Sequence, residues 1–384
     1  MSEKKPKTIQ KIMISGYYGF RNAGDEAILQ SVIEFLKNRL PFAKIIVLSH
    51  NPLQTSQTYG VQAINRLNLF QILYRLKNTD LFISGGGGLL QDATGKGWSV
   101  LYYLGLIWGA LFWKVPVFIY GQGIGPVHKK INRLLIKYTL NKVTFITLRE
   151  NFSKILLNSL GVKVPPIYVY SDPSFLLQKK NTERLNILFT ELKGSDTINR
   201  RRLIGFSLRE TKNYGLNDQQ DMARIADNLI ENYQAKIIFL PFKREEDTIF
   251  SSRIIERMHN QQDVKIIKED LSPEEWLSVI SQLSLVIGMR LHSIIFSCRV
   301  MTPFIALNYD PKVSYFVEDL GLSNLLIDYS HISFLEIKKR LEYILENRKE
   351  IEKILTCKNK ELEEKARENN QILFNFLKFQ GKIT

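Results

Sequence analysis

LVIGMRLHSIIFSC, residues 285–298, is the stretch on which the reading of the chain turns. Its apolar frame suits a buried strand that turns into a helix, yet Arg290 and His292 interrupt it. A guanidinium or an imidazole is costly to bury unless it is paired. Two explanations are open. Either an ion pair and a hydrogen-bonded histidine sit at an element boundary, or the strand ends at a cleft where both groups face a ligand.

The surrounding sequence repeats the same design. RLIGFSLRE (202–210), AKIIFLPF (235–242), VKIIKE (264–269) and PFIALNY (303–309) read as strands, and MARIADNLIENY (222–233) and SPEEWLSVISQ (272–282) as helices. The first half has the same grammar. KIMISG (11–16), KIIVLSH (44–50), DLFISGGGG (80–88), VFIYGQGIGP (117–126) and TFITLRE (144–150) read as strands, with DEAILQSVIEFLKNRL (25–40) and NLFQILYRLKNT (68–79) as helices. Strands alternating with helices predict a parallel, doubly wound sheet. Between the halves the pattern lapses into a charged, poorly periodic stretch. The expected architecture is therefore α/β, with two Rossmann-like domains facing a cleft: residues 1–178, a charged linker 179–202, and residues 203–384 with a mixed-charge helical tail.

Composition narrows the function classes. A chain of 384 residues, 45% apolar and 24% charged, is a folded globular protein of two-domain size. Two cysteines, Cys298 and Cys357, suit a reducing compartment better than a disulfide framework. MSEKKPKTIQ at the start lacks the apolar core of a secretory signal, so a cytoplasmic location is expected. The formal charge of +15 asks for an acidic partner. Nucleic acid is not expected, because no zinc-finger spacing or RNP-like motif occurs and the basic residues are spread along the chain. WSVLYYLGLIWGALFW (98–113) is uncharged but too short to span a bilayer. Its aromatics suit either a helix packed under the surface or a peripheral contact with an anionic membrane on its inner face.

The informative motifs fall just after strands, where open α/β sheets bind ligands. GYYGFRNAGDEA (16–27) joins glycines to a helix start, although Asn22 and Asp25 are also ordinary capping residues. SGGGGLLQD (84–92) lacks the lysine and hydroxyl of a P-loop, and GQGIGP (121–126) lacks the last glycine of a dinucleotide fingerprint. Arg149, Arg209, Arg290 and Lys312 each follow a strand end, and four such cations suggest a small anionic ligand. His292 among them is a candidate general acid. No metal-ligand spacing, nucleophile elbow or Cys-His dyad is evident.

In this order, GYYGFRNAGDEA, SGGGGLLQD, YGQGIGP, TLRE, GMRLHS and NYDPKV resemble the polysaccharide pyruvyl transferases over roughly Ile12 to Leu320. The likeness is strongest to the branch that pyruvylates the secondary cell-wall polymer anchoring surface-layer proteins. The resemblance implies a GT-B-like fold and phosphoenolpyruvate as the donor substrate, with no further cofactor and no metal. It also implies a β-ManNAc unit on a lipid diphosphate as acceptor. On the same basis His292 would be the general acid, and Arg149 and Lys312 would hold phosphoenolpyruvate; strand-end placement adds Arg209 and Arg290. Tyr17, Tyr18, Asn22, Asp25, Gly86, Gly87 and Gln122 would line the acceptor side. Two alternatives stand beside this. A GT-B glycosyltransferase would need a ribose ligand in the second domain, for which no convincing acidic residue is found. A non-catalytic anion-binding component of cell-wall assembly would more often have lost His292, Arg149 or Lys312.

Overall fold

In the computed structural model, residues 10–92, 98–193, 201–211 and 216–379 are described. The chain divides into two compact units. One comprises residues 1–20, 25–176 and 362–384; the other comprises residues 21–24 and 177–361.

The first unit is built on seven parallel strands: β1 (Lys11–Tyr18), β2 (Lys44–Ser49), β3 (Gln62–Asn65), β4 (Leu81–Leu90), β5 (Val117–Ile124), β6 (Phe145–Leu148) and β7 (Ile167–Val169). Their order is β3-β2-β1-β4-β5-β6-β7. The connecting helices are α1 (Ala23–Arg39), α2 (Pro52–Tyr59), α3 (Leu69–Leu76), α4 (Trp98–Phe112), α5 (Lys130–Leu140) and α6 (Asn151–Leu160). Ile72, Leu76, Leu104, Ile107, Ile136 and Leu157 place α3 to α6 on one face of the sheet. Leu29, Val32 and Leu36 of α1 cover the other.

The second unit has six parallel strands: β8 (Arg202–Ser207), β9 (Ala235–Phe239), β10 (Val264–Ile266), β11 (Leu285–Gly288), β12 (Phe304–Asn308) and β13 (Leu326–Asp328), in the order β10-β9-β8-β11-β12-β13. Its helices are α7 (Glu183–Lys193), α8 (Leu216–Tyr233), α9 (Arg244–Ile255), α10 (Pro273–Ile280), α11 (Leu291–Arg299), α12 (Pro311–Asp319) and α13 (Phe334–Glu346). A last helix, α14 (Arg348–Phe379), begins in this unit and ends in the first, where Leu373 and Leu377 join the core beside α1. Phe206 and Phe239 pack edge to face in the second sheet. Full burial of such a ring stabilises by about 1.5–3 kcal/mol.

The expected α/β architecture is present, and three boundaries differ from expectation. Within 179–202, residues Glu183–Lys193 form α7, and its Arg184 pairs with Glu275, which also completes a capping box with Ser272 on α10. That part of the stretch is built into the second unit instead of linking two units; residues 194–200 lie outside the described ones. The tail does not stay with the second unit. The glycine motifs do not follow their strands: β4 and β5 run through residues 85–88 and 121–123, with Gly85 paired to Tyr120 and Gly87 to Gln122. Cys298 is buried on α11, whereas Cys357 on α14 is exposed.

Candidate functional site

Both sheets change winding direction once, between β1 and β4 in the first and between β8 and β11 in the second. Ligands in such sheets bind beyond the carboxyl ends of the strands at that point.

In the second unit β8, β11 and β12 are neighbours; Gly288 is in register with Ser207 at the ends of β11 and β8, and β12 runs two residues past their level, from Ala306 to Asn308. Their carboxyl ends deliver Arg209, then Arg290 and His292, then Lys312. Arg209 donates to the Tyr309 hydroxyl at 3.0 Å, and its guanidinium lies over that ring. Lys312 is buried at the start of α12, where the Asp310 carboxylate caps the helix by accepting from the Lys312 amide at 3.1 Å. Ser207 and Asn308 were not anticipated. Ser207 Oγ and Asn308 Oδ1 are both buried at these strand ends with no hydrogen-bond partner among the described residues. The signal for them was positional, as each is the last residue of a strand flanking β11.

Arg290 takes the structural one of its two possible roles. It forms a bidentate pair with Asp247 of α9, with Nε to Oδ2 at 3.0 Å. Burial disfavours the guanidinium charge, but the Asp247 carboxylate outweighs it and keeps the Arg290 pKa above its ordinary value. Arg290, expected among the ligand-binding cations, is thus held within the second unit by Asp247. As the N-cap of α11, Arg290 makes no side-chain cap. The Ser293 amide donates to Arg290 O at 2.9 Å, and the start of α11 is the positive end of the helix dipole.

His292, half-buried in the first turn of α11, meets the Phe296 ring edge to face. The segment Arg21–Gly24 packs beside it. Ala23 N donates to Phe242 O at 2.8 Å, and Asn22 bridges to Lys243. A Cβ on Gly24 would lie 2.0 Å from His292 Nδ1. Gly24→Ala is therefore expected to displace the ring and to lower turnover at least about tenfold, while overpacking costs about 1–3 kcal/mol of stability. Gly105→Ala, on α4 where an added Cβ meets nothing within 4 Å, is the control: activity should hold and thermal stability should rise slightly.

Asn22, expected on the acceptor side, belongs to the second unit. Of the remaining acceptor candidates, Tyr18 is buried in the core. Burial, and then the Asp25 and Glu26 carboxylates, push its phenol well above the ordinary range, and it offers no face for stacking on a sugar. A Cβ at Gly86 would strike Ile28 of α1. Gly87 has φ +75° and would press on the Asp25 carboxylate, so both glycines serve helix packing. Gln122 is fully buried on β5, and its amide has no hydrogen-bond partner among the described residues. Tyr17 stacks on Phe20 at 4.0 Å and Phe20 on His50 at 4.4 Å, with Arg66 lying 5.2 Å from the Phe20 ring centroid. Phe20, His50 and Arg66 follow β1, β2 and β3, and the motif reading missed them.

Arg149 follows β6 in the first unit. Its Nη1 donates to Asp172 at 2.7 Å and its Nε lies 3.5 Å from Glu150. Burial opposes its charge, but Asp172 and then Glu150 hold its pKa above the ordinary value. Asp92, which ends SGGGGLLQD, accepts from the amides of His128 and Lys129 and from Asn132, closing the connection after β5. Among the described residues no cluster of His, Cys, Asp or Glu could hold a metal ion. No helix among them is long and apolar enough to cross a membrane.

A family model described as polysaccharide pyruvyl transferase matches residues 22–311. The match takes in Asn22, Arg149, Arg209, Arg290 and His292, and stops just short of Lys312. The amylovoran biosynthesis protein AmsJ of Erwinia amylovora is 22% identical, over 89% of this chain and 94% of that protein. Among solved structures, S. aureus MnaA with UDP is similar with a TM-score of 0.67 at 10% identity, covering 98% of each chain. Anabaena HepE with UDP-glucose has a TM-score of 0.64 at 12% identity, over 96% of this chain and 99% of that one. These likenesses to solved structures show the fold.

Proposed function

The chain belongs to the polysaccharide pyruvyl transferase family and is an enzyme that transfers pyruvate in polysaccharide biosynthesis; from that premise we propose that its donor is phosphoenolpyruvate and that the second unit holds it. The observation that carries the reading is the α11 N-terminus without a side-chain cap, set between Arg209 after β8 and Lys312 after β12. Phosphoenolpyruvate joins a phosphate and a carboxylate on one small frame. The positive end of a helix dipole and two flanking cations match that charge distribution.

His292 gives its proton to the methylene carbon of the donor, which becomes a methyl group, and positive charge develops at C2. One sugar hydroxyl adds there and loses its proton. Phosphate then leaves with the C–O bonding pair, and a second hydroxyl closes the ketal as it too loses a proton. Arg290 is a positioning residue: its pairing with Asp247 fixes the start of the helix that carries His292. Arg149 is assigned to phosphoenolpyruvate by the resemblance alone.

The acceptor in this reading is a saccharide on a lipid diphosphate carrier, with β-ManNAc as the sugar. The stacked rings of Tyr17, Phe20 and His50 with Arg66 beside them support such an acceptor in the first unit. Flat rings suit a sugar face, and a guanidinium suits a phosphate. Because the similar structures include UDP complexes, the test is a paired one. Phosphoenolpyruvate should raise the thermal midpoint by several degrees at saturation and UDP-sugars should not; the reverse pattern would favour a nucleotide-sugar glycosyltransferase.

A further inference from the structure

We infer that the outer face of α3, α4 and α5 is a docking surface for an anionic lipid bilayer. Of the 22 large hydrophobic side chains exposed among the described residues, twelve lie between Leu67 and Tyr138. They gather on one side of the first unit, because α4 touches both α3 and α5. Trp108 donates to Thr139 at the end of α5 at 2.9 Å, and Gly109 admits Leu73 and Leu76 of α3. The exposed set includes Phe70 (86%) and Tyr74 on α3, Trp108 (40%) and Phe112 (76%) on α4, and Leu134 and Tyr138 on α5. A contiguous apolar surface of this kind on a water-facing helix layer marks an interaction site.

Charge decides the occupant. Residues 66–142 contain ten lysines and arginines against two acids, Asp80 and Asp92, and both acids are buried. Lys77, Lys114, Lys130, Lys137 and Lys142 are exposed around the apolar side chains. Lys77 lies over Trp113 and Lys142 over Trp108, so ammonium groups and indoles share one level. Tryptophan and tyrosine beside lysine is the composition of a membrane interface, where rings enter the headgroup layer and cations meet lipid phosphates. A second copy of the chain fits poorly, because a self-complementary contact would set this cationic face against itself. The face lies on a layer of surface helices and spans nothing. Trp98 belongs to α4, but its side chain lies outside the described residues.

The inference needs no turnover, so it stands or falls apart from the proposed reaction. The full chain is mixed with phosphatidylcholine vesicles, with and without about 30% phosphatidylglycerol, and bound protein is measured by co-sedimentation. Anionic vesicles should bind at least about tenfold more tightly, with the gain lost in high salt. Phe70→Ser with Phe112→Ser should weaken that binding about tenfold, as should Lys130→Glu with Lys137→Glu, whereas Ile187→Ser, an exposed position on α7, should not. Equal binding to neutral and anionic vesicles would overturn the inference. So would a dimer of the wild type that the Phe70/Phe112 variant abolishes.

Discussion

His292→Ala is expected to lower pyruvyl transfer by about 10²–10⁴-fold, the span associated with losing a positioned general acid, while leaving phosphoenolpyruvate affinity within a few fold. The ring sits in the first turn of α11 beside Phe296 and Gly24, and its removal leaves Arg209 and Lys312 in place. Calorimetric titration of phosphoenolpyruvate alongside steady-state turnover separates the two effects. Loss of binding in step with loss of turnover would mean that His292 holds the donor and does not protonate it. Unchanged turnover would remove it from the chemistry altogether.

Asp247→Ala should be the most damaging change to stability, at about 3–5 kcal/mol, because it strands the buried Arg290 guanidinium without its carboxylate. It also removes the acceptor for the Lys243 amide, 2.8 Å from Asp247 Oδ2. Replacing both partners, Arg290→Met with Asp247→Leu, should recover most of the loss, since neither charge is then buried alone. Chemical denaturation of the wild type, the single variant and the double variant measures this directly. If Arg290 existed chiefly to bind ligand, the single variant would retain nearly wild-type stability and would fail only in donor affinity.

The pair also illustrates what the sequence could disclose. Arg290 in its apolar run was visibly anomalous, but its partner lies 43 positions earlier, on a different helix, and nothing local connects them. The strands that carry the site were legible because each is an apolar run followed by a cation or glycines, as in β8, β11 and β12. β3, β7 and β13 escaped notice, being three or four residues long at or near the sheet edges, with few buried side chains. The resemblance puts both Tyr17 and Tyr18 on the acceptor side, although adjacent residues of a strand point to opposite faces. That alternation, applied to β1, would have sent one of the two tyrosines into the core. The placement of Asn22 and Gly24 beside His292 was beyond such reasoning, since it depends on long-range contacts to Phe242 and Lys243.

The central claim is that phosphoenolpyruvate supplies the pyruvyl group. It is tested most directly by incubating the wild-type protein with phosphoenolpyruvate and a ManNAc-containing lipid-diphosphate saccharide, then following phosphate release and the modified saccharide together. Phosphate should be released in step with formation of a pyruvate ketal on the sugar, and neither should appear when acceptor is omitted. Phosphate released at the same rate without acceptor and with no ketal formed, or a ketal formed only from a different donor, would contradict it.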